Sequence, residues 1–277
     1  MADLRELLGF YRDAGVDAAL ADAPFDRFAE TPPEKPAARP APEARPKLGT
    51  RPPEVAPRVS TAARPAEMAV PDEMQVALAR ELAANAATLD ELRGHLASFD
   101  GCNLKFTAKS LVFSDGTPGG PLMVIGEAPG RDEDREGLPF VGRSGQLLDR
   151  MLAAIGLDRT SVYVANVIPW RPPGNRTPTP HETEICRPFI ERQIELAAPR
   201  IIMTLGGPAT KVLLKSPEGI MRQRGNWKQF VTASGLEIPA MPTLHPAYLL
   251  RNPAHKRLAW RDFLEVKVKL LQSGEPS

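Results

Sequence analysis

Four short apolar runs constrain this chain more than anything else in it: "PLMVIGE" (121–127), "VYVANV" (162–167), "RIIMTLG" (200–206) and "IPAMPTLH" (238–245). Each is too short for a helix, and helical patterns lie between them. In "SGQLLDRMLAAIG", for example, Leu147, Leu148, Met151, Leu152 and Ile155 form one face. Strands separated by helices imply parallel pairing through right-handed crossovers. The expected fold is therefore α/β, a three-layer α/β/α sandwich around a central four-stranded parallel sheet. "VALARELAANAATLDELRGHLASF" before the runs and "RLAWRDFLEVKVKLL" after them supply flanking helices.

The chain has 277 residues, more than one such core needs, and its thirty prolines are too many for an evenly compact fold. They concentrate in residues 31–71, which lack aromatics and periodicity and read as a disordered linker. Residues 1–30 carry Leu4, Leu7, Leu8 and Tyr11 at helical spacing, the pattern of a short amphipathic helix that could dock on a partner. The folded domain is expected over 72–277. Nothing resembles a secretory leader or a membrane span, so a soluble cytoplasmic protein is expected. Two cysteines, Cys102 and Cys186, fit a pair of buried thiols better than a disulfide in a reducing compartment.

A net charge of +1 hides an asymmetry, with −4 over residues 1–30, +3 over 31–71, −4 over 72–100 and +6 over 101–277. The basic excess belongs to the expected domain, and residues 221–261 hold Arg222, Arg224, Lys228, Arg251, Lys256, Arg257 and Arg261 against the single acid Glu237. That balance suits a polyanion, although a solvated face has the same composition.

In parallel sheets ligands bind beyond the carboxyl ends of the strands. Polar residues collect there: Glu127 after the first run, Asn166 in the second, Gly206 and Gly207 after the third, His245 after the fourth. Singly, each has a plain structural reading as a turn, a cap or a structural histidine. Together, with Phe140 arriving on the charged stretch "GEAPGRDEDREGLPFVG", they make a pocket with a flat apolar wall, an amide and an imidazole.

Those same residues carry a resemblance. "GEAPGRDEDREGLPFVGRSGQLLDRML", "NVIPWRPPGNRTPTPHE" and "TLHPAYLLRNP" resemble the successive motifs of the family 4 uracil-DNA glycosylases, over about residues 99–270. The resemblance implies base-excision repair by hydrolysis of the N-glycosidic bond of a flipped uracil. It makes Phe140 the stacking wall, Asn166 the reader of the pyrimidine edge and His245 the donor toward uracil O2. Glu127 becomes the candidate for positioning or deprotonating water, beside Gly126 and Ala128 in the substrate-binding turn. Glu133 falls where bulk beside C5 would exclude thymine. Arg131, Asp132, Asp134, Arg135 and Glu136 read as a solvated loop. Leu249 or Leu250 becomes the minor-groove wedge, with Arg251 and the loop beginning at Arg171 on the DNA backbone.

The chain also departs from that family. Its members hold a [4Fe–4S] cluster on four cysteines, whereas Phe99 and Trp170 stand at two of those positions and only Cys102 and Cys186 remain. No metal and no cofactor is therefore expected, with aromatic packing replacing the cluster. The expected partners are uracil-containing DNA and, through the N-terminal helix, a repair or replication protein; no membrane is involved, and a monomer is expected. Three other readings stay open: a non-catalytic uracil- or abasic-site-binding protein, a nucleotide or phosphoester enzyme, and a tether whose main business lies in residues 1–71. The second lacks a GK[ST] after the glycine turn.

Overall fold

The computed structural model describes residues 72–273. The amphipathic segment 1–30 and the Pro-rich stretch 31–71 lie outside the described residues. The apolar runs become β2 (Leu122–Gly126), β3 (Val162–Asn166), β4 (Ile201–Leu205) and β6 (Glu237–Thr243), with two short strands, β1 (Asp115–Gly116) and β5 (Lys228–Val231), added at the edges. The sheet order is β1-β3-β2-β4-β6-β5; the inner four strands are parallel, and each edge strand is antiparallel to its neighbour.

Alternation along the strands explains the three layers, because successive side chains of a strand face opposite ways. Met123, Ile125, Tyr163, Ala165 and Ile202 bury one face under the helices Asp72–Asn85, Leu89–Ser98 and Pro180–Ala197. Leu122, Val124, Val162, Val164 and Met203 bury the other, under Arg143–Ala154 and Lys256–Ser273. Both faces being covered, these strands read as continuous apolar runs. No helix among the described residues is long and apolar enough to cross a membrane.

The pattern expected before the first strand is broken into two helices at Ala86–Thr88. Thr88 caps the second, its hydroxyl accepting from the Glu91 amide at 3.2 Å, while Glu91 accepts from the Ala87 amide at 2.7 Å. That reciprocal pair outweighs the helical propensity of the alanines. At the other end of the domain, buried Asp262 accepts from the Thr243 hydroxyl at 2.6 Å and pairs with Arg224, tying the end of β6 to the C-terminal helix.

The first core also takes in the segment where the family resemblance fails. Phe99 and Trp170 are each 2% exposed and share one cluster with Cys102 and Cys186. Phe99 packs on Phe189 with ring centroids 5.3 Å apart. Truncation of such a ring removes both transfer energy and packing. Trp170→Ala should therefore cost about 3–5 kcal/mol, read as a lowered urea midpoint, and a loss below about 1 kcal/mol would remove Trp170 from the core's support.

Candidate nucleobase site

Strand register assembles the site. Gly126 is opposite Asn166 across β2 and β3, and Leu205 is opposite Thr243 across β4 and β6, so the four strand ends come out side by side. The β2–β3 ladder runs on past the strands: the Val167 amide donates to Gly126 O and the Ile168 amide to Glu127 O, both at 3.0 Å. Glu127 thus leaves the sheet from a fixed backbone. Beyond β4, Gly206 adopts φ 87° and donates its amide to Thr243 O at 2.8 Å. A Cβ there would lie 3.1 Å from the His245 Cβ, so the glycine lets the histidine turn close in.

A cavity of about 540 Å³ opens over these ends, lined among others by Glu127, Ala128, Glu133, Phe140, Asn166 and His245. All six come from the set the sequence proposes. Phe140 is 4% exposed and holds a left-handed backbone, φ 55°, rare for a residue of its size. Its ring stacks with that of His245, centroids 5.5 Å apart at 29°. A Cβ on Gly126 would fall 2.5 Å from both the Phe140 Cζ and the Asn166 Oδ1, so only glycine permits the ring and the amide to meet there.

Asn166 is buried, and its Oδ1 has no hydrogen-bond partner among the described residues. Buried acceptors are rarely left in that state unless a water or a ligand fills them. His245 begins the helix Pro246–Arg251, and its Nδ1 accepts from the Ala247 amide at 3.1 Å. With Nδ1 accepting, the neutral ring carries its proton on Nε2, a donor. Burial of the ring, reinforced by the nearby Arg251 charge, lowers its pKa from 6.5 to about 4, so the ring is neutral at physiological pH. Burial acts in the opposite direction on Glu127, raising its carboxyl above the ordinary value.

Glu133 is more constrained than a steric filter needs to be. One carboxylate oxygen accepts from the Gly130 amide and the other from the Gly142 amide, each at 3.1 Å, bracing the loop that carries Phe140. The expected solvated loop is only partly solvated. Residues Arg131–Glu136 form a short helix, and Asp134, 3% exposed, accepts from the amides of Lys109 at 2.8 Å and Ser110 at 3.2 Å. A charge run in the sequence could not reveal that partner, which lies more than twenty positions upstream.

The DNA-facing candidates divide in the same way. Leu249 is 0% exposed, packed in a small cluster with Leu244 and Ala259, whereas Leu250 is 36% exposed. Arg251 lines the cavity from an exposed position. Arg171 is held inward, its Nε donating to Asn175 Oδ1 at 2.7 Å and its Nη1 3.9 Å from Asp134. Sequence reasoning missed Met221, half-exposed on the cavity rim, and Arg176, which lines the cavity while paired with Glu182 at 2.6 Å. Arg176 belongs to the loop beginning at Arg171 that was expected on the DNA backbone, and Glu182 three residues after Thr179 is a capping-box signal.

A four-thiolate cluster does not fit the residues beside this site. Cys102 and Cys186 are the only cysteines, their Sγ atoms 3.9 Å apart with the Cys186 thiol donating to Cys102. That bond and burial push the Cys186 thiol well up. The Phe99 ring fills the space a Cβ on Gly101 would need, and no group of three or more His, Cys, Asp or Glu able to hold a metal occurs among the described residues.

An α/β/α layer order with an aromatic ring, an amide whose oxygen is unpaired and a neutral imidazole at the strand ends makes a pocket shaped for a planar, hydrogen-bonding ligand. Comparison with known proteins agrees. The uracil DNA glycosylase superfamily profile matches residues 113–264. The type-4 uracil-DNA glycosylase of Saccharolobus solfataricus is 39% identical over 187 residues, covering 66% of this chain and 86% of that protein. That of Sulfurisphaera tokodaii is 37% identical over 188 residues, 65% of this chain and 84% of that protein, and that of Thermotoga maritima 36% over 176, 62% and 90%. The chain belongs to the uracil-DNA glycosylase superfamily, whose members hydrolyse N-glycosidic bonds in DNA repair.

Proposed function

We propose that this chain hydrolyses the N-glycosidic bond of deoxyuridine flipped out of DNA, leaving an abasic site, and that it does so without an iron–sulfur cluster. The unpaired Oδ1 of buried Asn166 carries the reading. Uracil presents an N3–H donor beside an O4 acceptor, and a carboxamide answers both, with Oδ1 accepting and Nδ2 donating. Cytosine offers the reverse at both places, which would leave buried groups unpaired.

Phe140 supplies the stacking wall, and Glu133 braces the loop beneath it at the place where a thymine methyl would arrive. As the C1′–N1 bond breaks, its electron pair stays with uracil and charge accumulates on O2. The Nε2–H of neutral His245 donates to that oxygen, a contribution of about 3 kcal/mol for one well-placed donor. Glu127 orients the attacking water and lends a negative field to the cationic sugar. The water oxygen bonds to C1′, and one of its protons passes to Glu127 before leaving with the base. Leu250, being exposed, is the wedge that fills the gap left by the flipped nucleotide, and Arg251 neutralises a phosphate.

Release of base from a uracil-containing oligonucleotide, measured beside binding to the same duplex, tests the reading: binding without release would make the chain a uracil-binding protein. Asn166→Asp should cut single-turnover uracil release by about a hundredfold and introduce weak cytosine release, since a protonated carboxyl can present the opposite pattern. Unchanged uracil release would remove Asn166 from base reading.

The rate should rise with pH through a midpoint above 4.5, the ordinary value that burial raises for Glu127, because the ionised carboxylate does the work. His245, lowered to about 4, has its own midpoint below that one. Glu127→Gln should be slower and lose the limb; a limb retained at the same midpoint would assign it elsewhere.

The purified protein should be colourless and hold less than one iron per chain, and should keep its activity through chelator treatment. Stoichiometric iron with visible absorbance would overturn the clusterless part of the proposal and leave the base chemistry standing.

A further inference from the structure

Phe140 is asked to do something its own backbone resists. It holds φ 55° in the irregular segment between the helices Arg131–Glu136 and Arg143–Ala154, where a residue with a Cβ is strained unless its surroundings over-determine it. Two features hold it from the side away from the pocket. The backbone of Gly145 lies so close under the Phe140 carbonyl that no Cβ fits there. The other is Arg159, which belongs to the turn before β3 and lines no part of the cavity.

The Arg159 guanidinium divides its donors between this backbone and two carboxylates. Its Nη2 donates to Phe140 O, and its Nη1 donates to Pro139 O at 3.0 Å and to Asp115 at 3.1 Å. Its Nε donates to Asp149 at 2.6 Å. The two carboxylates orient the fork, and the fork gathers two successive carbonyls of irregular backbone. The turn that presents Arg159 is itself set by Asp158, whose carboxylate accepts from the Thr160 hydroxyl at 2.7 Å and from the Thr160 and Ser161 amides at 3.0 and 2.9 Å.

We propose that Arg159 is a positioning residue for uracil release, fixing through the Pro139 and Phe140 carbonyls the strained backbone that sets the base-stacking ring. This rests on the reading of Phe140 as the stacking wall. Only a planar fork meets both carbonyls and both carboxylates at once; a lysine ammonium can keep the ion pairs but not the two carbonyls together. The neutral His245 ring stacks on Phe140, so a displaced Phe140 also moves the donor that faces the leaving base.

A double-mutant cycle in the full chain tests it, with single-turnover release from a uracil oligonucleotide as one readout and amide hydrogen exchange of residues 140–145 as the other. Arg159→Met should slow release by about tenfold to a hundredfold and speed exchange in that segment, and Arg159→Lys should fall between it and the native chain. In a Phe140→Ala background Arg159→Met should slow release no further, since its effect runs through that ring. A general loss of folding would multiply equally in both backgrounds. Should Arg159→Met fail to fold, Arg159→Lys, which keeps a cation between the two aspartates, takes its place in the cycle. An equal factor in both backgrounds, or unchanged release, overturns the positioning role. Native-like release by Phe140→Ala alone would instead sink the stacking reading beneath it.

Discussion

The pairing of Gly126 with Asn166 is the constraint on which the rest depends. Strand faces alternate every residue, so a slip of one position between β2 and β3 would invert both buried faces and carry Asn166 away from Phe140. The apolar cores on the two sides of the sheet forbid that slip. Because Gly126 has no side chain, the amide of one strand and the ring delivered by the loop after the other occupy the same small volume. The core thus determines the site: hydrophobic alternation sets the register, and the register sets where a base's polar edge would find its partner.

Burial then acts on two titratable groups of the cavity in opposite senses. It disfavours charge in both cases, lowering the imidazole of His245 and raising the carboxyl of Glu127. For a reaction that expels an anion, a neutral ring with a fixed Nε2–H is useful, because it donates without having to lose a proton. The Ala247 amide sets the tautomer, since it occupies Nδ1 and so decides which nitrogen carries the hydrogen. A carboxylate kept partly dry gains field strength near a cationic sugar, at the cost of holding its proton to higher pH. In the proposed reaction one cleft therefore gives a histidine and a glutamate different tasks.

Most of this was legible in the sequence where short-range pattern governs. The four inner strands, their parallel pairing and the residues at their ends follow from apolar runs and punctuation. The edge strands did not, because β1 is only Asp115 and Gly116 and β5 is the mixed run Lys228–Val231, and neither has a period long enough to read. Long-range partners were invisible too. Asp134 looked like part of a solvated charge run and is a buried cap for Lys109 and Ser110; Leu249 and Leu250 are neighbours of equal hydrophobicity, and only the packing against Ala259 separates them. Arg159 gave no signal, since its meaning lies in the carbonyls of residues twenty positions away.

In the clusterless enzyme proposed above, Phe99 and Trp170 take over by packing what coordination would otherwise do. A [4Fe–4S] group on four cysteines ties together segments distant in sequence by coordination. Here Phe99, Cys102, Trp170 and Cys186 lie together, held by dispersion and burial, with Phe99 on Phe189 and the two thiols touching each other. Coordination bonds are few and directional, whereas ring packing spreads the same restraint over many weak contacts. The exchange needs no redesign of the catalytic end, because Trp170 and Cys186 support the loop and the helix that follow β3 from beneath while Asn166, at the strand's end, is fixed by the sheet itself. Structural support and chemistry thus lie on successive stretches of the same segment, and one can change its means while the other keeps its geometry.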